Sequence, residues 1–130
     1  MPVTYTTDTD RRRIRIAPMD PVTLYELTAT VDRQFFDGTW TFGVVVDLRL
    51  IHRATPATDV QQFAAHLRGF VDHYGPRGPV AIVAREAATV SAAHVYAHFS
   101  DKPDPHVDVF WSAEDADAWL DRLTPRAHHS

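Results

Sequence analysis

An α/β fold built on one mixed sheet is what this sequence predicts, and three observations predict it. Short apolar runs alternate with longer stretches whose apolar residues recur at helical spacing, the pattern of strands joined by crossover helices. Two strand-like stretches separated by an Asp-rich turn open the chain and predict an antiparallel hairpin ahead of the parallel strands. Hydroxyl and carboxylate residues three apart mark helix starts between the apolar runs.

Residues 3–7 and 11–17 flank Asp8-Thr9-Asp10 and form the hairpin. The second stretch alternates Ile14 and Ile16 with arginines, so one face is read as wet. Arg11, Arg12 and Arg13 are read as a solvated strand edge rather than a phosphate patch, because charge on an edge suppresses strand addition. Thr23 and Glu26 have capping-box spacing, and Leu24, Leu27, Val31 and Phe35 follow on one face, which predicts a helix over 24–36. Residues 42–48 are nearly all apolar, as in a strand buried on both faces. Thr58 is expected to cap the next helix, over 59–74, with Asp59 in its first turn and Val60, Phe63, Ala64, Leu67, Phe70, Val71 and Tyr74 as its stripe. A second buried strand spans 79–84, an Ala-rich helix 87–99 and a third strand 107–111. Ser112 is expected to cap a last helix whose stripe is Ala116, Trp119, Leu120 and Leu123. The order is ββαβαβαβα, with four helices.

The chain has 130 residues, one domain's worth, and residues 1–124 are expected to form a single domain with 125–130 as a disordered tail. It contains no cysteine, which removes disulfides, thiolate nucleophiles and cysteine-ligated metal. A formal net charge of −4 disfavours broad binding to nucleic acid or to anionic membrane. No window approaches the roughly 20 apolar residues of a membrane span, and no basic segment precedes an apolar run at the start. The cytoplasm is therefore the expected compartment.

Residues 43–49 (Gly-Val-Val-Val-Asp-Leu-Arg), 78–84 (Gly-Pro-Val-Ala-Ile-Val-Ala) and 109–120 (Val-Phe-Trp-Ser-Ala-Glu-Asp-Ala-Asp-Ala-Trp-Leu), with the helix start at 21–27, lie in an order that resembles the SpoIIAA-like branch of the STAS superfamily. STAS domains are the sulfate-transporter and anti-sigma-factor-antagonist domains, and the resemblance covers nearly the whole chain. It implies a mixed sheet of that type and a regulatory or protein-interaction role. Antagonists of this fold are switched by phosphorylation of a serine at the start of the helix after the central strand. Here that position falls near Pro56 and no glycine follows, so the serine motif is absent. Thr55 and Thr58 are the hydroxyls left as phosphoacceptor candidates, with turn and helix cap as the plainer reading.

In open α/β sheets ligands sit beyond the carboxyl ends of parallel strands. The residues arriving there are Asp47, Arg49, His52, Arg85, Glu86 and Ser112, a set able to hold a small anion. His94 and His98 share a helix face at metal-binding spacing, but the glutamate of the helical zinc motif is missing, so no metal is expected. Trp40 either covers the bottom of the sheet or marks an interface. No phosphate loop, nucleophile elbow or paired acid and base is present. The expected function is a non-enzymatic regulatory or protein-interaction domain without a cofactor, whose partner is another protein or a second copy. The alternative is a module for a small anion or small molecule. It would use the crevice at the strand ends, or an apolar pocket under the helix that carries Ala87, Ala88, Ala92 and Ala93.

Overall fold

The computed structural model describes residues 3–53, 56–100 and 107–123, with 98–100 described by backbone alone. Its elements are β1 (Val3–Asp8), β2 (Arg13–Pro18), α1 (Leu24–Phe36), β3 (Gly43–Asp47), α2 (Ala57–Tyr74), β4 (Val80–Val83), α3 (Ala87–Ser100), β5 (Val107–Phe110) and α4 (Ala113–Leu123). They form one α/β sheet in the order β1-β2-β3-β4-β5, antiparallel between β1 and β2 and parallel thereafter. The expected order of strands and helices is the one observed.

A sheet whose parallel strands follow in sequence order, joined by crossovers of one hand, carries all its crossover helices on one face. That face buries Ile14, Val44, Val80 and Ile82 under Val31 of α1, Val60, Ala64 and Leu67 of α2, and Ala93 and Tyr96 of α3. The last helix has no further strand to reach. It returns across the other face, where Ala116 and Leu120 pack on Val45, Ala81 and Val83.

The two best cap signals hold. Thr23 and Glu26 form a reciprocal capping box, and Ser112 Oγ accepts from the Asp115 N–H at 3.1 Å. Thr58 is corrected. The helix starts at Ala57, two residues earlier, with Pro56 as its N-cap and no side-chain cap. Proline's fixed φ suits a helix start, so the chain can enter the helix before it reaches the threonine.

The arginine run is corrected as well. The edge strand is β1, not β2, and the arginine-bearing face of β2 is covered by α4. Arg13 is 1% exposed and bonds both Asp117 and Asp121 at 2.9 Å. Arg15 reaches Asp117 at 2.7 Å, and Arg11 lies 3.4 Å from Asp121. Arg12 takes φ 53° in the hairpin turn and lays its guanidinium over the Phe42 ring, 5.1 Å from the centroid.

Candidate functional site

The carboxyl edge of the sheet gathers the predicted polar residues into pairs. Asp47 ends β3 and receives Arg49 in a fork, Nε to Oδ1 at 2.9 Å and a terminal nitrogen to Oδ2 at 2.6 Å. The Arg49 N–H also donates to Asp47 Oδ1, so the turn after β3 is closed by its own carboxylate. Burial pushes the Asp47 carboxyl up. The hydrogen bonds and charge of Arg49, with the charge of Arg85, outweigh this and hold it below the ordinary carboxylate value. His52 Nδ1 meets Glu86 Oε1 at 2.5 Å, and the His52 N–H donates to Asp20 Oδ2 at 2.7 Å. The side-chain hydrogen bond to Glu86 and the Glu86 charge raise the His52 pKa above its ordinary value. Arg85 donates to the Trp111 carbonyl at 2.9 Å and stacks over the Trp111 ring. Ser112 is occupied as a helix cap.

The edge thus brings Asp47, Arg49 and Arg85 together, and His52 to Glu86. An anion arriving there must displace bonds already made. Thr58 is exposed in the first turn of α2. Thr55 and the side chain of His98 lie outside the described residues, and His94 is exposed on α3. Among the described residues, no cluster of three or more histidine or acidic side chains is placed to hold a metal ion. No helix among them is long and apolar enough to cross a membrane.

Trp40 belongs to the core rather than to an open interface. It is 8% exposed, packs with Phe35 and Phe70, and donates its indole N–H to the Gly75 carbonyl at 3.0 Å. This covers the amino edge of the sheet, the first of the two roles expected for it.

A more apolar feature lies between the sheet and the helices. Between the sheet and α1–α3 is a cavity of about 110 Å³, walled by Ile16, Val46 and Ile82 from the strands and by Val60, Phe63 and Ala93 from the helices. Ala92 and Ala93 of the small-residue helix both line it, so the alanines leave room above the sheet where larger side chains would fill it. A second recess of about 180 Å³ lies at the carboxyl edge against Asp20, Ile51 and Arg53. Leu27 and Asp59 border both spaces, so the cavity adjoins the edge where the polar residues gather.

Arg77 also lines the cavity, and sequence reasoning missed it. It sits between Pro76 and Gly78, just before β4, where a charged residue reads as part of a solvated loop. Three local features turn it inward. Gly78 lies so close to the 41–42 turn that a Cβ there would run into the carbonyls of Thr41 and Phe42. The Gly78 N–H donates to the Trp40 carbonyl at 3.0 Å. Gln34 is fully buried and spans Thr39 and Trp40 with its amide nitrogen, while its Oε1 accepts from Arg77 Nε at 2.7 Å. The guanidinium lies 5.8 Å from the centre of the Trp40 ring. A usable signal existed in the lone arginine held between proline and glycine ahead of a buried strand, with no acidic residue beside it.

No family model matches the chain, and no curated protein matches it at a significant level.

Proposed function

We propose that this chain is a binding domain that holds a small, largely apolar molecule between its sheet and α1–α3. The cavity of about 110 Å³ carries that reading. Well-packed cores leave few voids larger than a water, whereas an apolar void of about 150 Å³ is enough to take up benzene. The scaffold reading goes with it. The strand order, the antiparallel first hairpin and the single returning helix support an architecture of the SpoIIAA-like STAS kind. The paired charges at the carboxyl edge support a structural role there more than a free anion site.

Thermal melting in the presence of benzene is the test. A ligand that binds the folded chain alone raises the melting temperature with its concentration. The expected result is a rise, together with methyl shifts at Val60 and Ala93. An unchanged melt and unchanged methyls at saturating benzene would overturn the reading.

A protein-interaction role, which the resemblance implies, has its own observation. Met19, Leu50 and Trp111 are 42%, 52% and 66% exposed, and they follow the carboxyl ends of β2, β3 and β5. Three apolar side chains at one sheet edge suit a partner surface. Sedimentation over a concentration series checks self-association there. A dimer weakened by Trp111→Ala supports it, and an invariant monomer removes the second copy as partner.

A further inference from the structure

We propose that the cavity's ligand carries a carboxylate and that the Arg77 guanidinium is its anchor, so that the domain takes a small apolar carboxylic acid. This inference rests on the cavity reading above and narrows it to one chemical class.

The first argument is charge balance. The cavity wall is apolar apart from Thr30, Asp59, Arg77 and Tyr96. Thr30 is satisfied, because its hydroxyl donates to the Leu27 carbonyl at 2.6 Å. Asp59, in the first turn of α2, faces the carboxyl-edge recess as well as the cavity. No ion pair joins Arg77 to a carboxylate among the described residues. The groups facing the guanidinium are neutral: the Gln34 amide, the Trp40 ring and the phenols of Tyr96 and Tyr5. Burial in this setting pushes the Arg77 pKa down, against the pull of Tyr96. A partly buried cation with no ion-pair partner among the described residues carries a desolvation cost, and an anion delivered by a ligand relieves it.

The second argument is geometry. Nε is committed to Gln34, which fixes the plane of the guanidinium. Tyr96 also hydrogen-bonds the guanidinium, and the N–H groups left over can donate to a carboxylate. Gln34 is itself locked by Thr39 and Trp40, so the anchor is held in place before any ligand arrives. The apolar lining, Val80 and Ile82 of β4 included, then receives the rest of the molecule. The volume sets its size near that of a single ring, and benzoate is a suitable probe.

Calorimetric titration with benzoate, benzyl alcohol and benzylammonium separates the two readings. The three share a ring and differ in the charge of the head. Benzoate is expected to bind about tenfold or more tightly than benzyl alcohol, and benzylammonium weakest. Arg77→Gln is expected to bring benzoate down to the level of the alcohol while leaving the alcohol unchanged. If alcohol and benzoate bind alike, with methyl shifts at Val60 and Ala93, the cavity stands and the carboxylate inference falls. A preference for benzoate that survives Arg77→Gln overturns Arg77 as the anchor. If none of the three binds the wild-type chain, both readings fall. The ordering of the three probes on the wild-type chain decides the matter even if Arg77→Gln does not fold.

Discussion

The two faces of the sheet are covered by different means. One face lies beneath three helices, is apolar from β2 to β4, and still leaves a partly open cavity. The other has a single helix, α4. Its apolar contact is a compact set built from Val45, Ala81, Val83, Ala116 and Leu120. Over β2 the same helix meets charge, with Asp117 and Asp121 against Arg13 and Arg15. The difference follows from topology. Crossovers of one hand stack three helices on one side, while the chain's last helix must cover the other side alone. A helix about 10 Å wide cannot bury five strands at roughly 4.8 Å spacing with apolar side chains. The second face is therefore completed by long arginines that lie along the sheet and pair with the helix. The face with helices to spare can leave room for a ligand, and the face with one helix must be filled.

Breaking the compact face should have the largest effect. Val45 is 1% exposed at the centre of that contact. Val45→Asp buries a carboxylate with no partner, and a loss of more than about 4 kcal/mol is expected. The measurement is circular dichroism and its denaturant midpoint, and the expected outcome is a chain without a cooperative transition. A native-like midpoint would contradict the coverage of this face by α4.

The charged part of the same face comes next. Arg13→Ala removes a guanidinium with almost no exposure and leaves Asp117 and Asp121 with their more exposed partners Arg15 and Arg11. A loss of about 3 kcal/mol is expected from urea melts, in line with breaking one side of a buried ion pair. Had Arg13 been a solvated edge residue, the change would stay within about 0.5 kcal/mol.

These two sites also show which features could be read from the residues in order. Strands, helices and their sequence were legible because each is encoded locally. The buried runs, the Thr23–Glu26 box and the Ser112 cap all act within a few residues. The Asp47–Arg49 fork is two residues apart and equally local. Arg13 was not legible as buried. Alternation reveals that it lies opposite Ile14, but whether that face is covered depends on α4, about 104 residues later. His52–Glu86 depends on the arrangement of β3 and α3, 34 residues apart. The cavity has no sequence signature at all, since it is what packing leaves over. The alanines of α3 hinted at it, and Arg77 became part of it through Gln34, 43 residues earlier.

One pair of substitutions compares the faces directly. Ala81 is fully buried under α4, and Ala92 lines the cavity on the other side. Both become leucine. Ala81→Leu overpacks a filled contact, and a loss of about 2 kcal/mol is expected. Ala92→Leu stays within about 0.5 kcal/mol, because leucine keeps the helix propensity and the cavity receives the added carbons. Equal losses at both sites, read from the same denaturant series, would mean that the first face has no space to spare.

The smallest expected effect is a difference of sign. On the second face, burial pushes the Asp121 carboxyl up, but the Arg13 hydrogen bond and charge, with Arg11, bring it below its ordinary 3.8. A carboxyl with a depressed folded pKa stabilises the fold above about pH 3.8 and loses that contribution as pH falls through the lower value. On the carboxyl edge, beside the first face, Glu86 raises the His52 pKa above 6.5. That histidine stabilises the fold fully below about pH 6.5 and loses the contribution as pH rises through the raised value. His52→Ala should therefore melt below the wild-type chain in mild acid and converge with it in mild alkali. Asp121→Asn should melt lower at neutral pH and converge with the wild-type chain in strong acid. His52 is largely exposed to water, so its shift in melting temperature is the smaller of the two. If both variants converged with the wild-type chain at the same end of the pH range, the two ties would not be the independent contacts that their geometry describes.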